Sequence, residues 1–468
     1  MFRLCKLCYS TAAQSIKSVK IKDVFKKGAI NETKVGRVQG WVQSVRNHKR
    51  FCFIDISDGS LQTLQVVLPG NLMNKEIQNG ASVSAVGKFV ETEFNVNKIE
   101  MVCENIEVTG PCNPDEYPFL KHTPHEMQHL RSYPHLRMRR HSIMRGLRLR
   151  NQLEMRFHQY FQKHDFTHIH TPVITSSDCE GAGELFNVHS PNKMDSKDPN
   201  SNFFDKPAYL TVSGQMHLEA CAMALGNVYT LNPAFRAEHG ISRKHLSEFR
   251  MLEVEVAFVE DINYIMDLIE ESIKYSIEEI ELPVLQTFED AFKDIPPNHS
   301  TAVENAKSKQ YDRIPYSEAL TILQNNSKRL KTPSPIWGDF NTEQESFLVK
   351  HCGMKPLFLV DFPKESKPFY MYANDDEKTV SAIDLIFPFC GELCGGSLRE
   401  HRLEILQSSL HKLGLVDDYH WYLDLRRFGT VPHGGYGLGF DRLVHFLLGT
   451  RNIRDAVPFP RSPHSCPL

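Results

Sequence analysis

Hydrophobic and polar residues alternate in five short runs near the amino terminus of the chain. The runs cover Val35–Val45, Arg50–Ile56, Leu64–Leu68, Ser82–Phe89 and Ile99–Val108. Alternation with a period of two residues is typical of strands with one buried face, and the Gly- and Asn-containing segments between the runs indicate turns. Five strands within about 75 residues predict a small β-barrel of the OB-fold type, whose open face binds single-stranded nucleic acid by stacking on aromatic rings.

A second alternating region predicts a long antiparallel hairpin with a polar, glycine-containing loop at its tip. Side chains two positions apart lie on the same face of a strand, so Arg236 and Glu238 share one face of the first strand. Phe249, Glu253 and Glu255 share one face of the second strand. The hairpin thus offers a guanidinium for a phosphate, a ring for a base and carboxylates for a cation or an ammonium group. These features predict a nucleotide site built on a sheet.

The glycine-rich segment Gly435–Arg442 is neither a Walker loop nor a dinucleotide-binding fingerprint. It lacks the Lys-Ser/Thr ending of the first and the strand–turn–helix context with a distant acid of the second. The pattern predicts a strand over Val431–Gly439 and a helix over Asp441–Leu448. Arg442 then lies in the first turn of the helix, where the helix dipole disfavours a cation. We therefore expect Arg442 to contact an anion.

The composition predicts a soluble enzyme of two or more domains. The chain has 468 residues, of which 41% are hydrophobic and 24% are charged. No apolar run approaches the roughly 18 residues that a membrane helix needs, so no membrane insertion is expected. The eleven cysteines lack paired spacing, which favours a reducing compartment. Cys5 and Cys8 have no second pair of ligands, so a zinc site is not expected there.

Residues 1–22 differ from the rest of the chain in charge. They contain five basic residues, no acidic residue and several Ser and Thr residues, and their apolar stretches are too short for a secretory signal. This pattern predicts a transit peptide and a location in the mitochondrial matrix. Removal of the segment would lower the formal net charge from −3 to −8, so a chain that binds RNA must concentrate its basic groups locally.

Such a concentration of basic groups occurs between Met127 and Leu153, which contains no acidic residue. Its seven arginines are Arg131, Arg137, Arg139, Arg140, Arg145, Arg148 and Arg150. One interpretation is a solvated amphipathic helix. The other is contact of some of these arginines with an RNA backbone, since charges of one sign repel one another unless a polyanion or buried carboxylates offset them.

Three segments carry a resemblance to the class II aminoacyl-tRNA synthetases. Residues 235–255 resemble motif 2 of that family, Gly435–Arg442 resembles motif 3, and Phe161–Pro172 resembles motif 1, the helix–strand element at the dimer interface. The motifs occur in the family's order, and the similarity extends from about Val35 to Arg461. The resemblance implies an α+β protein with an N-terminal five-stranded OB-fold barrel and a class II catalytic domain, an antiparallel sheet flanked by helices. It also implies a homodimer.

The resemblance and the patterns together predict the domain organisation. A transit peptide occupies residues 1–22, the anticodon-binding barrel 23–110, a proline-rich hinge 111–135 and the catalytic domain 136–468. Within the catalytic domain, residues 281–335 are expected to form a helical insertion. Residues 190–206, rich in polar and charged side chains, are expected to form a flexible insertion.

A few positions point to asparagine as the amino acid. Leu218 stands where aspartyl relatives carry a lysine that would pair with the substrate β-carboxylate, and Glu219 follows it. A carboxylate at that point accepts a hydrogen bond from an amide and repels an aspartate, while Arg399 can donate to the amide oxygen. The pattern resembles the asparaginyl members of the Asp/Asn/Lys subgroup. The alternative is an enzyme that charges aspartate, or both amino acids.

The other matched positions complete the site that the resemblance implies. The substrate ammonium is expected to contact Glu180, Ser213, Gln215 and Glu253. The residues expected at ATP are Arg236 at the α-phosphate, Phe249 at adenine, Arg442 at the γ-phosphate, and Glu238, His245 and Glu392 nearby. Asp384 and Glu392 match the acids that hold Mg²⁺ against the ATP phosphates. In the loop of motif 2, either Arg243 or Lys244 could serve as a phosphate contact.

In the barrel, the resemblance implies that Phe53 stacks on an anticodon base and that Gln65 reads the central uridine. The alternative for Phe53 is a place in the barrel core, since alternate residues on these strands must fill the interior. The implied reaction is ATP-dependent ligation of asparagine to tRNA(Asn) through an asparaginyl adenylate, for mitochondrial translation. Two other classes fit less well. A catalytically idle RNA-binding relative would lack charged site residues, and an asparagine-synthesising enzyme would have no use for the barrel.

Overall fold

The computed structural model describes residues 16–26, 35–93, 99–119, 126–176, 185–189, 203–240, 242–280, 295–333 and 338–467. The chain divides after Met144 into two units. Five strands of the first unit close into a barrel in the order β1-β2-β3-β5-β4. They are β1 (Val35–Asn47), β2 (Phe51–Ser57), β3 (Leu64–Pro69), β4 (Ser82–Glu91) and β5 (Ile99–Gly110). The predicted five-stranded barrel is therefore confirmed.

The interior of the barrel follows the alternation seen in the sequence. On β2, Cys52, Ile54 and Ile56 are buried in the core, and on β3 the buried residues are Leu64, Val66 and Leu68. The residues between them point outward and are only partly covered. In a closed barrel, interior and exterior residues alternate along every strand. Each strand therefore needs only one apolar face to fill the interior.

A short helix, α1 (Ile21–Val24), also packs on the barrel. Ile21 and Val24 belong to the barrel core. The backbone N–H of Ile21 donates to the Asp58 carboxylate at 2.9 Å, and the N–H of Val19 donates to the carbonyl of Arg37 at 2.8 Å. Of the predicted transit peptide, residues 1–15 lie outside the described residues. The rest pairs with the barrel, so a cut at residue 22 would remove part of its core.

The segment predicted as a hinge, residues 111–135, contributes to the first unit in its described parts. Phe119 is buried, and its ring lies 6.0 Å from that of Tyr133 and 6.3 Å from that of His129. His129 belongs to helix α2 (Met127–Arg131). The described part of this segment thus holds an aromatic cluster, and its role as a hinge stays a prediction.

The second unit is built on an eight-stranded sheet in the order β11-β12-β13-β14-β15-β10-β9-β6. Its strands, with the separate pair β7 and β8, are β6 (Thr167–His168), β7 (Ile174–Thr175), β8 (Tyr209–Leu210), β9 (Asn227–Phe235), β10 (Glu248–Ala257), β11 (Asp312–Pro315), β12 (Leu357–Pro363), β13 (Thr379–Phe387), β14 (Gly391–Leu398) and β15 (His433–Gly439). The pairs from β12 to β9 are antiparallel, and β6 and β11 add parallel pairs at the edges. The predicted antiparallel catalytic sheet is confirmed.

Helices flank this sheet. They are α3 (His141–Lys163), α4 (Gln215–Leu225), α5 (Ile262–Glu278), α6 (His299–Ser308), α7 (Tyr316–Asn325), α8 (Thr342–His351), α9 (Leu403–Leu413), α10 (His420–Arg427) and α11 (Phe440–Leu448). The described part of the predicted helical insertion, residues 281–335, holds α6 and α7 but also β11, which extends the main sheet. Across the described residues, no helix combines the length and the apolar character that a membrane crossing requires.

Truncating Ile21 should destabilise the barrel. Ile21→Ala removes buried methyl groups and leaves a cavity, which typically costs about 2–5 kcal/mol of stability. The expected result is faster amide hydrogen exchange in β1 and β4. Lys22→Ala, at an exposed neighbouring position, is the matched control and should leave exchange unchanged. Equal exchange in both variants would show that α1 does not contribute to the barrel core.

Candidate active site

A cavity of about 540 Å³ opens over the central strands of the second unit. Its walls come from the amino-terminal end of α4, the hairpin β9–β10, strands β13 to β15 and the first turn of α11. A volume of several hundred Å³ is typical of sites for nucleotides and other small ligands. The sequence-predicted residues that line it are Ser213, Gln215, Arg236, Glu238, His245, Phe249, Glu253, Asp384, Glu392, Arg399 and Arg442. Glu180 lies outside the described residues.

The floor of the cavity depends on glycine in β15, which lies between β10 and β14. Gly435 is opposite Glu255, and a Cβ atom at Gly435 would collide with the Glu255 carboxylate and with the carbonyl oxygen of Val254. Arg399, directly after β14, forms an ion pair with Glu255 in this space, and both side chains are buried. Arg399 also donates to the Ser397 hydroxyl at 2.7 Å. The glycine strand thus makes room for a paired charge beneath the site.

A fixed carboxylate lies at the amino-terminal end of α4. Glu253 accepts hydrogen bonds from the backbone N–H of Gly214, at 3.0 and 2.9 Å, and from the Ser213 hydroxyl. The same hydroxyl oxygen accepts the backbone N–H of Gln215 at 3.1 Å. These contacts place a carboxylate, a hydroxyl and an amide in one corner of the cavity, where an ammonium group would find acceptors.

The hairpin places a cation beside an aromatic ring, as its alternation predicts. The backbone N–H of Arg236 donates to the carbonyl of Ser247 at 3.0 Å, which extends the pairing of β9 and β10 by one residue. The Arg236 guanidinium carbon lies 5.7 Å from the centre of the Phe249 ring, and Nη1 lies 3.9 Å from the Glu238 carboxylate. The predicted phosphate contact and the predicted base-stacking surface are therefore neighbours.

Two further cations face the same part of the cavity. Lys244 is among the lining residues, whereas Arg243 is exposed and does not line it. The geometry therefore favours Lys244 as the cation of the motif 2 loop. Arg442 lies in the first turn of α11, as predicted, and donates to the backbone carbonyl of Glu392. This contact joins motif 3 to the strand that carries the second predicted metal ligand.

The two predicted metal ligands converge over Gly395. The position that a Cβ atom would take at Gly395 lies 3.3 Å from Glu392 Oε1 and 3.6 Å from Asp384 Oδ1. Within the described residues, no group of three or more His, Cys, Asp or Glu side chains could hold a metal ion. Mg²⁺ is typically held by one or two carboxylates together with substrate phosphates and water. This pair of carboxylates fits that arrangement.

Glu219 does not line the cavity, which differs from the expectation that it contacts the substrate amide directly. Its carboxylate is fully buried behind Gln215. Gln215 Nε2 donates to it at 3.0 Å and Arg426 Nη2 at 2.9 Å. Burial opposes ionisation of this carboxylate, but the Arg426 guanidinium and the His433 ring hold the pKa of Glu219 well below its ordinary value. Glu219 is therefore a buried, ionised partner of a lining residue.

On the first unit, the predicted anticodon residues lie on the outer face of the barrel. Phe53 is only partly covered, whereas its neighbours Cys52 and Ile54 are buried, so the core interpretation of Phe53 is wrong. Gln65 also points outward. Its carbonyl oxygen accepts from Arg46 at 2.8 Å, and its amide nitrogen donates to Glu100 at 2.9 Å. A partly exposed ring and an amide held in one orientation thus share a face.

Comparisons with known proteins identify the family. The model of class II tRNA synthetases (D, K and N) matches residues 126–463, and that of the OB-fold nucleic acid binding domain matches residues 37–109. The mouse asparaginyl-tRNA synthetase is 44% identical over 92% of this chain and 91% of its own length. The asparagine–tRNA ligase of Picosynechococcus is 41% identical over 95% of this chain and 99% of its own. The chain belongs to the class II asparaginyl-tRNA synthetases.

A solved structure agrees with this assignment. The asparaginyl-tRNA synthetase of Pyrococcus horikoshii, complexed with asparaginyl-adenylate, superposes with a TM-score of 0.84 at 30% identity, over 96% of this chain and 99% of that one. The present synthetase is therefore an asparagine–tRNA ligase that uses ATP. Its catalytic and anticodon-binding units correspond to the two matched family models.

Two residues, one lining the cavity and one beside it, escaped sequence reasoning. Lys367 lines the cavity, and its ammonium donates to Asp384 at 2.7 Å. Glu345, on α8, approaches Gly391 from the same side as Lys244: Glu345 Oε2 lies 2.8 Å and Lys244 Nζ 3.2 Å from the Cβ position there. Both new residues come from segments without a recognisable motif. Both lie in polar stretches, 364–367 and 341–346, so no local pattern distinguished them from their neighbours.

Asp384, beside Lys367, and Glu345, beside Lys244, both have raised pKa values. Burial raises the pKa of Asp384 to about 6; the Lys367 ammonium opposes this shift and Glu392 adds to it. Burial, with the Glu392 carboxylate, raises the pKa of Glu345 to about 7, while Lys244 opposes the shift. The phosphate end of the cavity thus concentrates carboxylates whose charge requires nearby cations, which Lys367, Lys244 and a bound metal would supply.

Replacement of Arg236 should abolish amino-acid activation. Arg236→Ala removes a charged donor beside the reacting phosphate, and loss of one such contact typically lowers the rate by about two to three decades. ATP–pyrophosphate exchange measures the effect. Arg250→Ala, at an exposed position on β10 of the same hairpin, is the matched control and should keep near wild-type exchange. Normal exchange in Arg236→Ala would place the ATP site elsewhere.

Replacement of Phe53 should separate activation from tRNA charging. Because base stacking on an aromatic ring contributes roughly 1–3 kcal/mol per base, Phe53→Ala is expected to raise the KM for tRNA about 5- to 150-fold. Pyrophosphate exchange without tRNA should stay at the wild-type rate, since Phe53 belongs to the first unit and the residues assigned to activation belong to the second. A parallel loss in both assays would instead assign Phe53 a role in folding.

Proposed function

We propose that this asparagine–tRNA ligase selects asparagine against aspartate and serves translation in the mitochondrial matrix. The observation that carries the selectivity is the charge at the amino-acid end of the cavity. Glu219, Glu253 and Glu255 are buried there, and the buried guanidinium groups of Arg426 and Arg399 pair with Glu219 and Glu255. An aspartate side chain would add a further carboxylate to this cluster of buried acids, whereas asparagine would add a neutral amide.

The residue at position 218 supports the same conclusion. Leu218 is fully buried and packs against Ala222 and Val228, so this position supplies no cation to a substrate carboxylate. Arg399 lines the cavity, but its charge is already paired with Glu255. It can still donate a hydrogen bond to an amide oxygen, which is the role that we assign to it. Ser213, Gln215 and Glu253 accept the substrate ammonium.

The chemical step needs no protein nucleophile. The asparagine carboxylate attacks the α-phosphorus of ATP in line, and pyrophosphate leaves. A hydroxyl of the terminal ribose of the tRNA then attacks the acyl carbon of the asparaginyl adenylate, and AMP leaves. Arg236 neutralises charge that develops on the α-phosphate, Phe249 stacks on adenine, and Arg442 and Lys244 hold the outer phosphates. Glu238 and His245 border the same space.

We assign Mg²⁺ to Asp384 and Glu392, which would hold it against the phosphates. When bound, the ion supplies positive charge that offsets the charge of pyrophosphate as it leaves. Lys367 keeps the Asp384 carboxylate paired and directed toward the cavity.

Asp384→Asn removes one of the two carboxylates assigned to Mg²⁺. It should raise the Mg²⁺ concentration that half-maximal pyrophosphate exchange requires.

The barrel supports tRNA selection by the anticodon. Phe53 offers a stacking surface, and Gln65 offers an amide whose two ends are fixed by Arg46 and Glu100. An amide in a fixed orientation can pair with the donor and acceptor groups on the edge of a uridine. We therefore assign the central anticodon base to this pair of residues.

Mitochondrial targeting rests on the basic, acid-free amino-terminal segment. Because residues 17–24 pair with the barrel, we place the end of the removed segment before Lys17 instead of at residue 22. Import of a reporter fused to the first 25 residues into isolated mitochondria tests the assignment. Failure of import would restrict the synthetase to another compartment.

Dimer formation rests on motif 1 and on an exposed apolar surface beside it. Thr167 of β6 pairs with Val228, which lies close to Leu225 at the end of α4. Phe258 lies beside this end of α4 and is 78% exposed. Its φ of 62° is a strained conformation for a bulky residue. We infer that a second copy covers these side chains. A monomeric, fully active enzyme in light scattering would contradict this inference.

The proposed selectivity predicts the response to each amino acid. The purified wild-type enzyme should catalyse pyrophosphate exchange with asparagine and scarcely with aspartate. Glu219→Gln removes one negative charge from the buried corner, and it should reduce the discrimination by on the order of 1–3 kcal/mol. Exchange with both amino acids is measured on both proteins. Comparable wild-type rates with asparagine and aspartate would overturn the proposed selectivity but not the fold.

A further inference from the structure

A closed network of side chains lies beneath the amino-acid end of the cavity. Its centre is the Glu219 carboxylate on α4. Tyr422 and Arg426 reach it from α10: the Tyr422 hydroxyl lies 2.8 and 2.7 Å from the two carboxylate oxygens, and Arg426 Nη2 lies 2.9 Å from Oε2. His433 Nε2, from β15, lies 3.1 Å from Oε2. Glu219 and Arg426 have side chains with 0% exposure.

This network leaves Glu219 little capacity to contact a substrate. A carboxylate offers about four lone-pair sites, and four side chains already approach Glu219, with Gln215 as the fourth. The cavity lining includes Gln215 but not Glu219 or Arg426. Apart from the effect of its charge, Glu219 therefore reaches the cavity through Gln215, its hydrogen-bond partner among the lining residues.

The contact between the two residues fixes the orientation of the Gln215 amide. Only the NH₂ end of an amide can donate to an ionised carboxylate, and Gln215 Nε2 lies 3.0 Å from Glu219 Oε1. The carbonyl oxygen of Gln215 is then the end that remains for the cavity. An acceptor at that point suits the ammonium and amide N–H groups of asparagine, which are both donors.

Arg426 is the cation that keeps this arrangement in place. It holds Glu219 with one nitrogen, and its Nε donates to the backbone carbonyl of Glu400 at 3.0 Å. Its guanidinium carbon lies 4.1 Å from the centre of the Tyr422 ring. A planar guanidinium with several fixed donors can satisfy these partners together, which a lysine ammonium cannot.

We propose that Arg426 is a positioning residue for the amino acid: it holds Glu219 behind Gln215 and thereby sets the orientation in which Gln215 presents its carbonyl oxygen to asparagine. This inference rests on the proposed selection of asparagine and names a residue that determines it. Arg426 touches neither substrate nor reacting atoms. Its loss should therefore affect asparagine binding more than the chemical step or ATP binding.

The test compares three variants in ATP–pyrophosphate exchange with asparagine and with aspartate. Arg426→Met removes the charge at similar volume, Arg426→Lys keeps the charge without the planar group, and Arg427→Met is the matched control. Arg427 is the next residue of α10, its side chain is 40% exposed, and it pairs with Asp424 at the surface.

Arg426→Met should raise the KM for asparagine on the order of tenfold to a hundredfold, the usual effect of losing a hydrogen bond to a charged group. It should also lower the preference for asparagine over aspartate, while the KM for ATP stays within about twofold of wild type. Arg426→Lys should give a smaller increase in the KM for asparagine. Arg427→Met should match wild type in all these quantities.

A stable Arg426→Met protein with wild-type KM for asparagine and wild-type preference would overturn the proposal. So would a parallel loss of ATP and asparagine binding, because that result would show a general structural role. If Arg426→Met does not fold, Arg426→Lys decides: a wild-type KM and preference in that variant would overturn the proposal. Exchange by the wild-type enzyme with asparagine and with aspartate tests the proposed selectivity separately from the role of Arg426. A wild-type enzyme that does not prefer asparagine would refute the selectivity itself.

Discussion

The active site of this synthetase depends on pairing charges that the sheet buries. Taking a carboxylate out of water is costly unless hydrogen bonds or an opposite charge compensate it. Each buried acid beneath the cavity has such compensation. Glu253 accepts backbone N–H groups at the start of α4, Glu255 pairs with Arg399, and Glu219 pairs with Arg426. The positions of these partners in turn fix the walls of the amino-acid pocket.

The glycines of β15 make this pairing geometrically feasible. A side chain at Gly435 would occupy the space of the Glu255 carboxylate. The same strand leads directly into α11, whose first turn carries Arg442 to the phosphate end of the cavity. One strand therefore provides both the space for the buried ion pair and the cation at the opposite end. Such prior organisation lowers the reorganisation that substrate binding and charge development would otherwise require.

The first unit follows a simpler rule, with an apolar interior and a polar outer face. On β2 and β3, alternate residues fill the barrel, and most of the residues between them lie on its outer face. The outer face still has internal order, because Arg46 and Glu100 hold the two ends of the Gln65 amide. Both sites of the synthetase thus use charged side chains to orient a neutral amide, and a neutral amide can read a ligand by hydrogen bonds alone.

The sequence by itself determined the five barrel strands, the hairpin of motif 2 and the strand–helix of motif 3, because these features depend on local alternation and on turn residues. The motifs, through their resemblance to the family, also indicated Arg236, Phe249 and Arg442, which line one cavity. Tertiary structure alone decided that Glu219 is buried behind Gln215, that Arg426 pairs with it, and that Lys367 reaches Asp384. It also placed residues 17–24 on the barrel. Most of these contacts join residues far apart in the chain, and burial and pairing across such distances leave no periodic signal in the sequence.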